Sequence, residues 1–188
     1  MKKILLIAAL VSLSPLAFAN TTIDFEQYSA YTQITNQYSA EGATFTNALQ
    51  LVAPDYDYID FPPTSGSGVI TNDPNDPIVV DFTIPIVDLS GWYADPDGVI
   101  VTAYSGLDGT GTVLGTFNGT GVIGSDAEFS LASLPDAYSI TISDAGGSAD
   151  NEIVDDLGYT VTPEPDSLIL LGTGLLGLVG MMRRKLNC

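Results

Sequence analysis

Residues 20–162 consist of short runs rich in Val, Ile, Thr, Tyr and Phe, separated by Gly, Pro, Asn and Asp. Such runs are typical of β-strands, and no stretch between them keeps the period of a helix. Many short strands with turn residues between them favour a sandwich or a barrel. We therefore predict an all-β body, a two-sheet antiparallel jelly-roll sandwich. Its predicted strands are Thr21–Glu26, Ala43–Ala48, Val69–Thr71, Ile78–Thr83, Val87–Tyr93, Val99–Tyr104, Val113–Phe117, Glu128–Leu131, Tyr138–Ser143 and Ile153–Val161.

The N-terminal segment, residues 1–19, differs from this body. Two lysines come first, an apolar run follows over Ile4–Leu13, and Ala17-Phe18-Ala19 has the small-residue pattern of a cleavage site. This order predicts a secretory signal peptide, which signal peptidase removes before Asn20. The alternative is an uncleaved membrane helix, but serines and a proline interrupt the apolar run.

The C-terminal segment, residues 163–188, has three parts. Pro163-Glu164-Pro165 comes first, an apolar stretch over 167–182 follows, and Arg183-Arg184-Lys185 closes it. An apolar stretch in lipid must satisfy its own backbone, so we predict a single transmembrane helix. Residues 168–182 are short of the roughly 20 that span a bilayer, although long basic side chains can extend the span. Basic residues next to a membrane helix collect on its cytoplasmic side. The basic tail is therefore expected inside the cell, and the body outside it.

This three-part tail resembles the PEP-CTERM sorting signal, with Thr162 standing where many such tails have Val. The resemblance implies processing by an exosortase, a membrane protease that cuts near Pro-Glu-Pro and hands the body to another acceptor. It also implies anchoring in the cell membrane first, and a place at the cell surface or outside it afterwards. Proteins with this tail accompany exopolysaccharide and biofilm production. An ordinary C-terminal anchor that is never cut is the alternative.

Charge is distributed very unevenly along the chain. All five basic residues lie in the two terminal segments, and only Glu164 and Asp166 of the 23 acidic residues lie in the tail. The body therefore keeps 21 acidic residues and has no Lys or Arg. Nucleic acid is excluded as a partner, because its phosphates must be neutralised by basic side chains. Such a body is soluble but repels itself, and divalent cations would relieve the repulsion.

Cysteine and histidine are nearly absent. The only Cys is Cys188, the last residue, and the sequence contains no His. The body can therefore form no disulfide. A Ser-His-Asp or Cys-His catalytic apparatus is excluded within the chain, as are the commonest zinc ligands.

Two acidic segments lie at the ends of the body. In the first, alternation places Asp24 and Glu26 on one face of the strand. In the last, the odd-numbered residues of 153–161 share one face, which puts Asp155 among apolar side chains, where an unpaired carboxylate is costly. The body offers no basic partner, and the ends of a domain often lie close together. We therefore predict a metal ion between the two segments, and carboxylate oxygens suit Ca²⁺.

The same two segments resemble those of carbohydrate-binding jelly rolls of the galactose-binding type, in which Phe-Glu near the first strand and Asp-Asp near the last hold a structural calcium. The resemblance implies Glu26 and Asp155 as the main ligands, with Asp24 and Asp156 next. The alternative is that these carboxylates are solvated at strand ends. Asp95-Pro96-Asp97-Gly98 also begins like an EF-hand loop, but the later ligands of that loop are missing, and we predict a turn there.

Aromatic side chains could form a platform for sugars, since their rings present a flat apolar face. The candidates are Tyr56, Tyr58 and Trp92, although Trp92 lies in an apolar strand and a core position is the alternative. Paired carboxylates also serve glycosidases, but nothing in the sequence marks one pair. We predict a non-catalytic, exported surface or matrix protein, stabilised by calcium. A module that holds exopolysaccharide is the alternative, and a glycan-cleaving enzyme is the third hypothesis.

Overall fold

The computed structural model describes residues 19–72, 76–146 and 153–162, together with residues 172–174 and 176–177. Residues Asn20–Thr162 form one compact unit, and antiparallel strand pairs build it. The strands are β1 Ala19–Ile23, β2 Gln33–Ile34, β3 Ala43–Thr46, β4 Ala48–Val52, β5 Gly68–Asn72, β6 Ile78–Asp95, β7 Val99–Tyr104, β8 Val113–Asn118, β9 Val122–Leu131, β10 Ala137–Asp144 and β11 Ile153–Val161.

A second unit comprises Met1–Ala19 and Pro163–Cys188. Its residues 172–174 and 176–177 are helical. None of the helical segments that the structure describes is long and apolar enough to cross a bilayer. The predicted signal peptide, sorting motif, membrane helix and basic tail fall almost wholly outside the described residues, so the structure does not test them.

The long strand β6 connects the two sheets of the body. Its first half pairs with β3 and β10, and its second half pairs with β11 and β9. One sheet therefore contains β3, β6, β10, β7 and β8, and the other contains β2, β4, β5, β11, β6 and β9, with β1 beside β11. Pro85 lies where β6 passes from one sheet to the other, a position at which a missing backbone N–H is tolerated.

The main core lies between these two sheets. Ile78, Val80 and Phe82 come from the first half of β6, and Tyr93 comes from the second half. The strand β7 shows why the sequence pattern works, because its buried residues alternate with half-buried ones along the whole strand. The predicted two-sheet, all-β jelly-roll fold is confirmed.

Several strands differ in length from the prediction. The predicted runs Ile78–Thr83 and Val87–Tyr93 form one strand, β6. The predicted run Ala43–Ala48 is divided between β3 and β4 at Asn47, whose φ of 59° turns the chain toward the other sheet. The predicted hairpin between β7 and β8 is present. Its turn has φ values of 55° at Asp108 and 63° at Gly109, as a two-residue hairpin turn requires.

Candidate functional site

The loop between β4 and β5, residues 53–67, covers part of the outer face of the second sheet. Tyr56 and Phe61 on this loop pack against a small apolar cluster that is separate from the main core. The cluster consists of Leu51, Val69, Ala94 and Ile153. The Gly124 amide also donates a hydrogen bond of 2.6 Å to the Asp60 carbonyl, which ties the loop to β9. The β4–β5 loop is therefore packed against the sandwich along much of its length.

Glu26, which follows β1, binds the end of this loop. Its Oε1 accepts hydrogen bonds from the backbone amides of Ser67 at 2.9 Å and Gly68 at 2.7 Å. A Cβ on Gly66 would lie 2.3 Å from the Glu26 carboxylate, and a Cβ on Gly68 would lie 2.2 Å from the Phe25 carbonyl oxygen. The two glycines therefore allow the backbone to come close enough to donate to this carboxylate.

Asp155 is buried, with 2% of its surface exposed. Its Oδ2 accepts hydrogen bonds from the amides of Thr64 at 2.8 Å and Ser65 at 3.0 Å, and its Oδ1 accepts one from Asp156 at 2.7 Å. Burial raises the pKa of Asp155 to about 6, although these amides oppose the shift. The groups that compensate this buried carboxylate in the structure are thus backbone amides.

A β-bulge in β11 determines which way Asp155 points. The register of β11 against β6 shifts just after Asp155, and Asp156 there has a φ of 47°. Asp adopts this left-handed conformation more readily than most residues. As a result Ile153 and Asp155 face away from the main core, whereas Leu157 lies within it. The prediction that the odd-numbered residues of 153–161 share one face is therefore wrong, because the bulge reverses the alternation.

Two further carboxylates bind the same part of the loop through hydroxyl groups. The Ser65 hydroxyl donates to Asp156 Oδ1 at 3.0 Å, and the Thr64 hydroxyl donates to Asp126 Oδ2 on β9. We call residues 64–68 the carboxylate-binding segment. The carboxylates that it binds are Glu26, Asp126, Asp155 and Asp156.

Asp24, the remaining predicted calcium ligand, makes its hydrogen bond elsewhere. Its Oδ1 accepts a hydrogen bond of 3.3 Å from the Glu26 amide in an exposed position. The structure thus brings three of the four predicted ligands, Glu26, Asp155 and Asp156, to the carboxylate-binding segment. Over the described ranges, no three or more acidic, Cys or His side chains converge closely enough to hold a metal ion.

One buried oxygen beside this segment lacks a hydrogen-bond partner among the described residues. The side chain of Gln50 is fully buried, and its Nε2 donates to the Phe25 carbonyl at 2.7 Å. Its Oε1 has no hydrogen-bond partner in the described part of the chain. A buried acceptor without a hydrogen-bond partner is rare in proteins. Gln50 Nε2 would also lie 3.0 Å from a Cβ on Gly68, so this amide is close to the bound Glu26 carboxylate.

The three predicted sugar-binding aromatics differ in exposure. Tyr56 is half-buried, and burial, followed by the charges of Asp155 and Glu26, raises the pKa of its hydroxyl to about 12. Tyr58 is 43% exposed on the same loop. Trp92 is half-buried on β6, where it pairs with Asp155 on one side and with Glu128 on the other. Trp92 therefore lies on the outer face, beside the β4–β5 loop.

Sequence reasoning missed the residues that donate to the carboxylates. Thr64, Ser65, Ser67 and Gly68 donate through backbone amides, which carry no side-chain signal. Sequence reasoning also missed Asp126, which accepts from the Thr64 hydroxyl. The sequence signal that could have found the donors is the run of small residues at 64–68, T-S-G-S-G. Closely spaced glycines mark a place where the backbone comes close to another group.

Comparison with known families and structures identifies one sequence motif and one fold. Residues 161–185 match the PEP-CTERM protein-sorting motif. No curated protein matches the sequence. The K2 cleaved adhesin domain of Lys-gingipain is similar over 76% of this chain and 100% of that domain, with 15% identity and a TM-score of 0.55. At this identity the similarity shows the fold alone.

Carbohydrate-binding modules are also among the similar structures. A family 6 module covers 76% of this chain and 94% of its own, with 13% identity and a TM-score of 0.41. A family 29 module from Piromyces equi covers 76% of this chain and 91% of its own, with 13% identity and a TM-score of 0.42. The chain thus carries a PEP-CTERM sorting motif, which indicates export and anchoring in the membrane before processing, on a jelly-roll body.

Proposed function

We propose that this protein is an exported, non-catalytic surface module that holds a neutral polysaccharide on the outer face of its second sheet. Exosortase processing of the PEP-CTERM motif at residues 161–185 would deliver the body to the cell surface. The observation that carries the binding proposal is the position of Trp92, half-buried on the outer face between Asp155 and Glu128. An aromatic ring beside an exposed carboxylate, here Glu128, can stack on a sugar while the carboxylate oxygens accept hydrogen bonds from the sugar hydroxyls.

The charge of the body supports a neutral glycan rather than an anionic one. Twenty-one acidic residues and no Lys or Arg would repel uronic acids or sulfated sugars. Tyr58, 43% exposed on the β4–β5 loop, adds a second ring on the same side of the sheet as Trp92. Tyr56 packs into the small apolar cluster instead, and we assign it the role of holding the loop.

An array of neutral and anionic polysaccharides tests this proposal. We expect binding to neutral glycans, with a loss of tenfold or more in Trp92→Ala and a smaller loss in Tyr58→Ala. Tyr138→Ala is the matched control, because this exposed ring lies on β10 in the other sheet. Equal binding by all three variants, or binding restricted to anionic glycans, would contradict the proposal. Release of soluble sugar products from the bound glycans would indicate an enzyme instead.

We also propose that calcium supports the carboxylate-binding segment. Glu26 Oε2 has only the Ser67 hydroxyl at 3.5 Å, and Gln50 Oε1 lies buried without a partner in the described residues. Together with Asp156 these oxygens are of the kind that Ca²⁺ prefers. Calcium would add positive charge beside the carboxylates that bind residues 64–68, and so would stabilise the β4–β5 loop.

Thermal unfolding of the exported protein with calcium and with a chelator tests this second proposal. We expect calcium to raise the melting temperature of the wild type, and Glu26→Gln to remove most of that increase. Asp136→Asn removes one exposed charge away from the segment and serves as the control. If the midpoint is the same with calcium and with the chelator, backbone amides alone stabilise these carboxylates.

Processing can be tested separately from binding. We expect mass spectrometry of the exported form to find a chain that begins at Asn20 and lacks the tail after the Pro-Glu-Pro motif. A mature chain that still carries Cys188 would favour an uncut membrane anchor.

A further inference from the structure

A second acidic group lies at the end of β6, in the turn that leads to β7. Asp95 is the last residue of β6, and its side chain is fully buried. Its Oδ1 accepts hydrogen bonds from the amides of Asp97 and Gly98, each at 2.7 Å. Its Oδ2 is also buried and has no hydrogen-bond partner among the residues that the structure describes. A buried carboxylate oxygen without any donor is costly and calls for a compensating group.

The end of β10 brings another carboxylate to this turn. Asp144 pairs with Val99 of β7, and the Ala145 amide donates to the Gly98 carbonyl at 2.8 Å, so the two segments are joined. The charges of Asp144 and Asp97 both act on the Asp95 carboxylate. The buried Oδ2 therefore lies in a group of three carboxylates from two neighbouring segments.

Few groups in this protein could neutralise the charge on Asp95 Oδ2. The body contains no Lys, Arg or His, so an ion pair with a side chain is impossible. A proton is one solution, and burial does raise the pKa of Asp95 to about 6. A bound cation would satisfy the buried Oδ2 and would also offset the charges of Asp97 and Asp144, which a proton on Asp95 would not do.

We propose that residues 95–98 and the end of β10 bind a divalent cation of the calcium type, with Asp95 Oδ2 as the central ligand and Asp97 and Asp144 as further ligands. Oxygen ligands at about 2.3–2.6 Å are characteristic of Ca²⁺. The three carboxylates do not already converge to such distances within the described residues. Asp97 is exposed, and Asp144 is half-buried and accepts a hydrogen bond of 2.6 Å from the Gly146 amide through its Oδ1. Binding the ion therefore requires both side chains to turn toward Asp95. We expect affinity in the weak range of extracellular modules, a Kd of about 10⁻⁴–10⁻³ M.

This site is distinct from the carboxylate-binding segment, and single substitutions can separate the two. Asp95→Asn keeps the shape of the side chain and removes its charge. Asp155→Asn does the same at the carboxylate-binding segment. Asp136→Asn is the charge control, because Asp136 is exposed and belongs to neither group.

Calorimetric titration of the exported protein with CaCl₂ at pH 7.5, with NaCl matching the ionic strength, tests the proposal. We expect Asp95→Asn to weaken one binding event tenfold or more, and Asp155→Asn and Asp136→Asn to leave that event unchanged. Asp144→Asn provides a second route if Asp95→Asn fails to fold. Wild-type affinity in folded Asp95→Asn or Asp144→Asn, or no calcium binding by the wild type, overturns the proposal. Glycan binding on the array is a separate measurement and does not depend on this outcome.

Terbium luminescence gives an independent test of location. Tyr93 lies two residues before Asp95 on the same face of β6, and the charge of Asp95 contributes to the raised pKa of Tyr93, after burial. Tb³⁺ bound at Asp95 should therefore emit when tyrosine is excited. We expect Tyr93→Phe to lower this emission while calcium still displaces the ion, and Asp95→Asn to remove the part of the emission that depends on Tyr93. Emission that survives in Asp95→Asn but disappears in Asp155→Asn would place the ion at the other site and refute the assignment.

Discussion

The hydroxyl of Tyr159 allows a quantitative test of how the core is built. Tyr159 lies on β11 and is 2% exposed, and its hydroxyl donates to the Glu41 carbonyl at 2.7 Å. Its ring packs against Phe82 with centroids 4.9 Å apart. Burial, followed by the charge of Glu41, raises the pKa of this hydroxyl to about 12. In the unfolded chain the same group has a pKa of about 10.

These values predict how the free energy of unfolding depends on pH. Because the folded-state pKa exceeds the unfolded value, the contribution of Tyr159 is complete below pH 10 and is lost as the pH rises toward 12. At pH 11 the loss amounts to about 1.4 kcal/mol. Tyr159→Phe removes the titration together with one hydrogen bond, which contributes about 1 kcal/mol at pH 8. The free energy of unfolding of the wild type should therefore exceed that of Tyr159→Phe by about 1 kcal/mol at pH 8, and should fall about 0.4 kcal/mol below it at pH 11.

Urea unfolding of both proteins at pH 8 and pH 11 measures this difference directly. The other tyrosines are shared by the two proteins, so their ionisation cancels in the comparison. Tyr138→Phe is the matched control, because Tyr138 is an exposed ring on β10. If the gap between wild type and Tyr159→Phe is the same at both pH values, the hydroxyl is not buried as described and the reasoning fails.

Three glycine substitutions give further predictions, each measured as a shift in the urea midpoint. Gly68→Ala should cost about 3 kcal/mol or more, because the new Cβ would lie 2.2 Å from the Phe25 carbonyl oxygen and backbone cannot easily move. Gly91→Ala should cost about 1–3 kcal/mol, since its Cβ would lie 2.4 Å from the Phe129 ring. Gly124→Ala has open space and a φ of 71°, so we expect only conformational strain of about 1–2 kcal/mol. A Gly68→Ala cost no larger than that of Gly124→Ala would contradict the close packing of the loop.

The fold was predictable where residues alternate regularly between buried and exposed. The strand β7 alternates in this way and begins and ends where the sequence predicted, and the turn at Asp108-Gly109 has the positive φ values that its residues favour. The ends of β11 were also predicted, although the bulge at Asp156 interrupts its alternation. The sequence does not show that β6 continues through Pro85, because proline usually marks a strand end. It is tolerated here because the pairing partners of β6 change at that point, a tertiary feature that local propensity cannot express.

The candidate site was predictable in its acidic residues and not in their partners. Sequence reasoning expected the acidic groups at the two ends of the body to meet, and Glu26 and Asp155 do bind one segment. It expected a metal ion there because no basic side chain was available. The structure shows that amides from residues 64–68 donate to these carboxylates, and these donors become aligned only when Gly66 and Gly68 bring the backbone close. The bulge at Asp156 could not be predicted from the sequence either, because a single residue in the left-handed conformation does not change the pattern of apolar residues.

Backbone amides satisfy individual carboxylate oxygens in this acidic body, but they do not remove the repulsion between the carboxylates. Asp81, Asp88, Asp95 and Asp155 each accept a hydrogen bond from an amide of another segment or turn. Amides are dipoles, so they satisfy an oxygen locally but leave the net charge of 21 acidic groups in place. The remaining repulsion acts over about 10 Å at 0.1 M salt and falls as salt is added. An oxygen with no amide, such as Asp95 Oδ2 or Gln50 Oε1 in the described residues, is a different case, because screening does not reach a buried atom. The calcium that we propose would bind such atoms directly, so titration with calcium at matched ionic strength separates site binding from screening.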